Sequence, residues 1–226
     1  CGVAQARNRG AVESHGLYLM FLDADDALLP YAAEELLKGI KRDRTLGQVY
    51  GRLAIMNDAG VVSPKIPDWP TPYSAEDQIV NHRNQVPSCN MMRRDAFFRA
   101  GGFRQHTAPQ EDAELWARIP LVGYNVAMVT AKPVYKYRIH DGAATSAIRE
   151  GKATEKNWLE FIALHKGAPP PFASILPPEN GRSHAVGCFD EPIISVVIPC
   201  SDKHAPLVRD AIESVMAQSD YHWELI

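Results

Sequence analysis

Apolar and polar positions along this chain switch repeatedly between helical and strand-like spacing, and the switches mark out alternating elements. Residues 2–15 are rich in alanine and arginine and read as a helix that Gly16 breaks. Residues 17–22 (Leu-Tyr-Leu-Met-Phe-Leu) are a continuous apolar run without helical period, which predicts a strand buried on both faces. The run stops abruptly at Asp23-Ala24-Asp25-Asp26. A second helix is expected over 30–42, with Ala33, Leu36, Leu37 and Ile40 on one face and Pro30 suited to its first turn.

Residues 49–56 read as a strand, Asn57-Asp58-Ala59-Gly60 as a turn, and Val61-Val62 as the start of a return strand. A loop with four prolines covers 63–73, and Ser74 with Asp77 resembles a capping box opening a helix. A short strand over 88–92, a helical turn over 95–100 ended by Gly101-Gly102, and an amphipathic helix over 111–122 ended by Gly123 come next. Residues 126–129 and 134–137 read as two strands, and 153–165 as a helix. Residues 167–192 then carry six prolines and read as an interdomain linker. Beyond them, Ile193-Ile194-Ser195-Val196-Val197-Ile198-Pro199 is a strong buried-strand signal, followed by a helix over about 205–218. Strands alternating with helices throughout predict an α/β domain.

Composition changes this picture little. Of 226 residues, 46% are hydrophobic and 23% charged, the balance of a folded globular chain rather than a disordered one. The net charge is −3, without the strong basic excess expected of a nucleic-acid binder. No apolar run approaches the roughly 20 residues that span a bilayer. Cys1, Cys89, Cys188 and Cys200 are scattered, with no C-x-x-C pair, which argues against a zinc site or a disulfide framework and for reduced thiols in a cytoplasmic protein.

The candidate chemistry gathers after the first strand. Asp23, Asp25 and Asp26 stand at its carboxyl end, the edge where open α/β sheets bind ligands. In an extended segment Asp23 and Asp25 point the same way, and two like charges held together are better tolerated with a cation between them. Magnesium or manganese suits carboxylate oxygens and commonly completes its shell with substrate phosphates. A plainer reading, with Asp26 capping a turn and the others solvated, stands level with this one on spacing alone.

The cluster has company. Gly2-Val3-Ala4-Gln5-Ala6-Arg7-Asn8-Arg9-Gly10, then the strand ending in Asp23-Ala24-Asp25-Asp26, resembles family-2 glycosyltransferases of the GT-A fold. The likeness continues through Arg93-Arg94, Gly101-Gly102-Phe103, Gln110-Glu111-Asp112 with Leu115-Trp116 and Arg118, and Tyr137-Arg138-Ile139-His140 with Ser146, over residues 2 to about 165. It implies a Rossmann-like mixed central sheet flanked by helices. It implies that Asp23 and Asp25 touch the nucleotide ribose and the metal, with Asp25 the closer to the metal, and that Arg7 and Asn8 line the nucleotide pocket. Asp112 resembles the catalytic base of inverting members, with Glu111 beside it at the acceptor site. His140 resembles a histidine that reaches the diphosphate or the metal. Without the resemblance, Glu111 and Asp112 read as an acidic first helical turn, Arg9 as helix surface and Trp116 as core.

The implied cofactor is a divalent cation, Mn2+ or Mg2+. The implied partners are a nucleotide-diphosphate sugar donor and a saccharide or glycolipid acceptor, with no nucleic acid. Such chemistry needs few groups. A cation neutralises the departing diphosphate, and one carboxylate takes the acceptor proton, giving single displacement with inversion. A glycoside hydrolase would instead need two carboxylates flanking a poor leaving group. A fold-retaining carbohydrate-binding or scaffolding module without turnover, and a hydrolase of activated sugars, are the alternatives.

The family's opening strand and helix do not precede Gly2. Residues 194–201 and 211–218 resemble them instead. The expected organisation is therefore the back part of one GT-A domain over 1–166, a proline-rich linker over 167–192, and the front of a second domain over 193–226. On this view the first domain is incomplete, and a piece isolated this way binds sugar nucleotide weakly or not at all. Residues 193–226 could dock where the missing opening strand belongs, covering an otherwise exposed sheet edge. By analogy with tandem enzymes of surface polysaccharide synthesis, a cytoplasmic place at the inner face of the membrane is expected.

Overall fold

The computed structural model describes residues 2–69, 72–74, 77–78, 83–105, 110–140, 193–201, 206–219 and 222–226. The helix expected over 153–165 and the linker over 167–192 lie outside them, as does most of the helix expected after Ser74, although Ser74 Oγ does accept the Asp77 N–H at 3.2 Å.

Seven strands form one sheet: β1 (Tyr18–Phe21), β2 (Ala27–Leu28), β3 (Leu46–Met56), β4 (Met91–Arg93), β5 (Asn125–Arg138), β6 (Ile194–Val197) and β7 (Trp223–Leu225), in the order β2-β5-β3-β4-β1-β6-β7. The sheet is mixed. Strands β3 and β5, β1 and β6, and β6 and β7 are parallel, whereas β4 is antiparallel to both β1 and β3.

Helices cover both faces. Alternation along β1 sends Tyr18, Met20 and Leu22 to one side and Leu19 and Phe21 to the other. The first side packs against α2 (Ala32–Lys41) through Leu36, Leu37 and Ile40, and against α5 (Val208–Met216) through Ala211 and Val215. The second packs against α1 (Val3–Glu13), α3 (Arg94–Arg99) and α4 (Glu111–Leu121) through Ala4, Ala11, Phe97, Leu115 and Trp116. The double-sided burial read from residues 17–22 is thus realised, and Trp116 is core.

Two local readings change. The strands expected over 126–129 and 134–137 are one strand, β5. Its pairing with β3 jumps from Thr130 to Pro133 opposite Gly51 and Arg52, so the proline sits at a bulge that bends the strand without ending it. Gly51 admits the bend, because a Cβ there would meet Thr130 at 2.7 Å and Val134 at 2.8 Å. The return strand expected at Val61-Val62 amounts to one bridge, Met56 to Val62.

Strands β6 and β7 stand in the same sheet as the other five. β6 pairs with β1 from Tyr18 opposite Ile194 to Phe21 opposite Val197, so the edge of β1 is covered by the docking that the sequence made possible. The join is polar as well as apolar. Gln218 Oε1 accepts the Ala33 N–H at 2.9 Å while its Nε2 donates to Leu29 O, and Ser214 Oγ accepts the Leu28 N–H at 2.9 Å.

Candidate active site

The acidic segment after β1 is a turn, not an extended stretch: the Asp26 N–H donates to Asp23 O at 3.0 Å. The turn sends its three carboxylates to different partners, so Asp23 and Asp25 do not share one direction as alternation would require.

Asp23 faces α1. The Arg7 guanidinium, buried with its side chain 7% exposed, donates to Asp23 Oδ1 at 2.5 Å and to Glu111 Oε1 at 2.9 Å. It also lies over the Phe103 ring, 5.2 Å from the centroid. Burial alone would lower its pKa; the Asp23, Glu111 and Asp112 carboxylates outweigh that and raise it, so the cation is permanent. The other Glu111 oxygen, Oε2, is buried with no hydrogen-bond partner among the described residues. It is a free acceptor beside Asp112.

Asp112 opens α4. Its Oδ1 accepts the Ala113 N–H at 2.6 Å and its Oδ2 accepts the Ser88 hydroxyl at 3.3 Å. Burial, and then the neighbouring Glu111 charge, push its pKa up to about 6 against the pull of Arg7. A carboxylate tuned there is ionised at neutral pH yet markedly more basic than an ordinary aspartate.

Asp25 faces the end of β5. His140 Nε2 lies 2.9 Å from Asp25 Oδ2, and since a carboxylate only accepts, that nitrogen carries the proton. Both side chains keep some exposure, 12% for His140 and 19% for Asp25. Asp26 turns inward. Its Oδ1 accepts the Arg138 N–H at 2.8 Å and its Oδ2 is buried without a partner among the described residues. Burial, followed by the Asp23 and Asp25 charges, raises its pKa well above the carboxylate range.

Asn8 points elsewhere. Its amide clasps the Phe103 backbone, donating to Phe103 O at 2.8 Å and accepting the Phe103 N–H at 2.9 Å. Arg9 is on the surface, paired with Glu13. Gly101 and Gly102 have φ of 82° and 64°, which only glycine adopts without strain, and they shape the loop that Asn8 holds. Arg118 secures the same loop from α4 by donating to Ala100 O and Gly102 O while pairing with Glu114. The structure therefore brings Arg7, Asp23, Glu111 and Asp112 together, and Asp25 with His140 two residues further along the turn.

Asp25 and His140 offer a divalent cation one carboxylate and one imidazole, and a cation between them would have to displace the proton that His140 Nε2 shares with Asp25 Oδ2. Among the described residues no group of three or more His, Cys, Asp or Glu side chains is placed to hold a metal. A cation there would draw its remaining ligands from water and from a substrate diphosphate, as such ions commonly do.

Two residues that sequence reading left without a role enter the site. Ser88 touches Asp112, and Arg138 grips the turn. Arg138 lay within a segment already singled out, but nothing in the sequence reported its partners. Ser88 carried no signal.

The model of glycosyl transferase family 2 matches residues 2–99, which include Arg7, Asn8, Asp23 and Asp25. Residues 2–99 are thus similar to glycosyl transferase family 2. The mixed α/β sheet with helices on both faces is consistent with the GT-A fold of such enzymes. Among proteins similar to the chain is an O-antigen biosynthesis protein, RfbC, of Myxococcus xanthus, 25% identical over 232 aligned positions that take in 99% of this chain and 17% of that protein. Another is an uncharacterized glycosyltransferase of Haemophilus influenzae, 25% identical over 120 positions, covering 52% of this chain and 40% of that protein. The chain thus spans less than half the length of either relative. Among the described residues no helix is long and apolar enough to cross a membrane.

Proposed function

We propose that these residues serve an inverting glycosyltransferase that moves a sugar from a nucleotide-diphosphate donor to an acceptor hydroxyl, in polysaccharide or glycoconjugate synthesis. The observation that carries the reading is the division of labour among carboxylates. Asp23 is neutralised by Arg7, Asp25 is paired with His140, and Asp112 alone is tuned to about 6.

Asp112 takes the proton from the attacking hydroxyl, held by Ser88 and by the Ala113 N–H in a fixed orientation. Glu111 Oε2 offers the acceptor sugar a hydrogen-bond acceptor, while Arg7 holds Glu111 in place. Asp25 and His140 would hold Mn2+ or Mg2+, which when bound supplies charge neutralisation of the leaving diphosphate. Asp23 is positioned by Arg7 to meet the donor's ribose.

The protein-scale arrangement belongs to the same proposal. Residues 1–166 carry the back part of one catalytic domain, and 193–226, whose β6 completes that domain's sheet beside β1, resemble the opening strand and helix of a second, joined by 167–192. The alignment with the much longer Myxococcus protein runs through both parts in the same order, which supports a tandem arrangement. The name of that relative supports surface polysaccharide as the product class and, by analogy, a peripheral place at the inner membrane.

Titration of the protein with a panel of nucleotide-diphosphate sugars, with and without Mn2+, tests the reading. With β6 seated beside β1 in place of the missing opening strand, one nucleotide sugar should bind despite the weak binding expected of an incomplete domain, and only with the cation, and Asp25→Asn should weaken it by about 10–100-fold. Binding indifferent to both cation and Asp25 would remove the donor site from this turn.

A further inference from the structure

Arg138 sits at the meeting point of three segments that are remote in sequence. Its side chain is 2% exposed. Nε donates to the Asp25 carbonyl at 2.7 Å, Nη1 donates to Asp58 O at 2.9 Å in the turn after β3, and Nη2 pairs with Asp210 Oδ2 at 2.6 Å on α5. Its backbone N–H meanwhile donates to Asp26 Oδ1. The acidic turn is thus held by main chain and side chain of one residue, and that side chain is anchored to α5 by its ion pair with Asp210.

We propose that Arg138 is a positioning residue through which the docking of residues 193–226 fixes the geometry of Asp25. A buried guanidinium that loses the carboxylate it is paired with must redistribute its donors or draw in water, and either change reaches the Asp25 carbonyl directly. His140, two residues on along the same strand end, carries the effect to the Asp25 carboxylate. The chain following the acidic turn leans on the same unit. Ser214 holds Leu28, Gln218 holds Ala33 and Leu29, and the Ser219 N–H donates to Pro30 O. An undocked 193–226 unit would therefore leave Asp25 in a loosened turn, so that donor binding depends on this unit being seated. The functional part of the proposal rests on the donor-site reading of Asp25 given above; the positioning of the turn does not.

Asp210 is the point of attack, because its side chain is 53% exposed and its removal need not unfold the protein. Hydrogen exchange of the amides in 23–28 and affinity for Mn2+ alone, read by water-proton relaxation, are measured on the whole chain carrying Asp210→Ala, Asp210→Glu or Lys38→Ala, the last removing a surface ion pair on α2. Asp210→Ala should exchange at 23–28 about tenfold faster, a local opening rather than global unfolding. It should also bind Mn2+ about tenfold more weakly, the usual scale for losing an outer-shell partner. Asp210→Glu should restore both, and Lys38→Ala should alter neither. Exchange at 23–28 that is unchanged by Asp210→Ala, or accelerated equally by Lys38→Ala, overturns the proposal. If the unsubstituted chain takes up no Mn2+ while Asp210→Ala still loosens 23–28, the positioning role is supported and the cation reading of Asp25 falls.

Discussion

Arg7 and Glu111 are 104 positions apart in the chain and meet at 2.9 Å, with both side chains only 7% exposed. The other arm of the same guanidinium takes Asp23, so one buried cation links the turn after β1 to the start of α4. Asp23 and Glu111 therefore cannot move independently.

Replacing Arg7 with methionine keeps the packing volume near Phe103 but leaves Glu111 and Asp23 without their cation. Breaking a buried pair by removing one partner costs about 3–5 kcal/mol. Urea denaturation of Arg7→Met should show a loss on that scale. A loss within about 0.5 kcal/mol, the range of ordinary surface changes, would mean that the pair contributes little.

Asp112 makes stability depend on pH in a definite sense. Its pKa in the folded chain is about 6, against an ordinary 3.8, so the folded state holds this proton more tightly than the unfolded state does. The contribution to stability is complete below about pH 4 and is lost as pH rises through about 6. The same rise frees the carboxylate to act as a base, so transfer should increase with pH over that window while stability falls. Paired denaturation and rate profiles of the parent and Asp112→Asn check this: the asparagine variant should lose this component of the stability slope.

Gly10 and Gly16 seat residues 193–226. A Cβ on Gly10 would stand 2.3 Å from Val197 Cγ1, and one on Gly16 would stand 2.6 Å from the Ser195 backbone nitrogen. Overpacking of this kind costs about 1–3 kcal/mol. Gly10→Ala should be partly rescued by Val197→Ala, since a side chain can be trimmed to make room. Gly16→Ala should not be rescued by Ser195→Ala, since the Ser195 nitrogen at 2.6 Å and the Ile194 carbonyl carbon at 2.8 Å remain in the way once the hydroxyl is removed. A double-mutant cycle on thermal unfolding reads the difference, and rescue of both or neither would place the clash elsewhere.

What the sequence revealed follows from how local each signal was. The buried run of β1, the helix faces carrying Leu36 and Trp116, and the stop at Gly123 are set by near neighbours and were legible. The same holds for the acidic cluster, although only coordinates show that a turn, not alternation, separates Asp23 from Asp25. Gly10 stood inside a recognised segment, yet its reason is Val197, which no spacing rule connects to it. Asn8 illustrates the same limit, because its amide is occupied by a loop 95 positions away. The bulge at Pro133 looked like a break between two strands because its compensation, Gly51, lies on the partner strand.

The central claim is that Asp112 is the base of a sugar transfer whose donor is bound around Asp25. It is tested most directly by measuring transfer from nucleotide-diphosphate sugars, together with nucleotide-sugar binding, in the protein carrying Asp112→Asn. The account predicts transfer reduced by about 10²–10⁴-fold, the usual contribution of a general base, with binding unchanged. Undiminished transfer in that variant would contradict it.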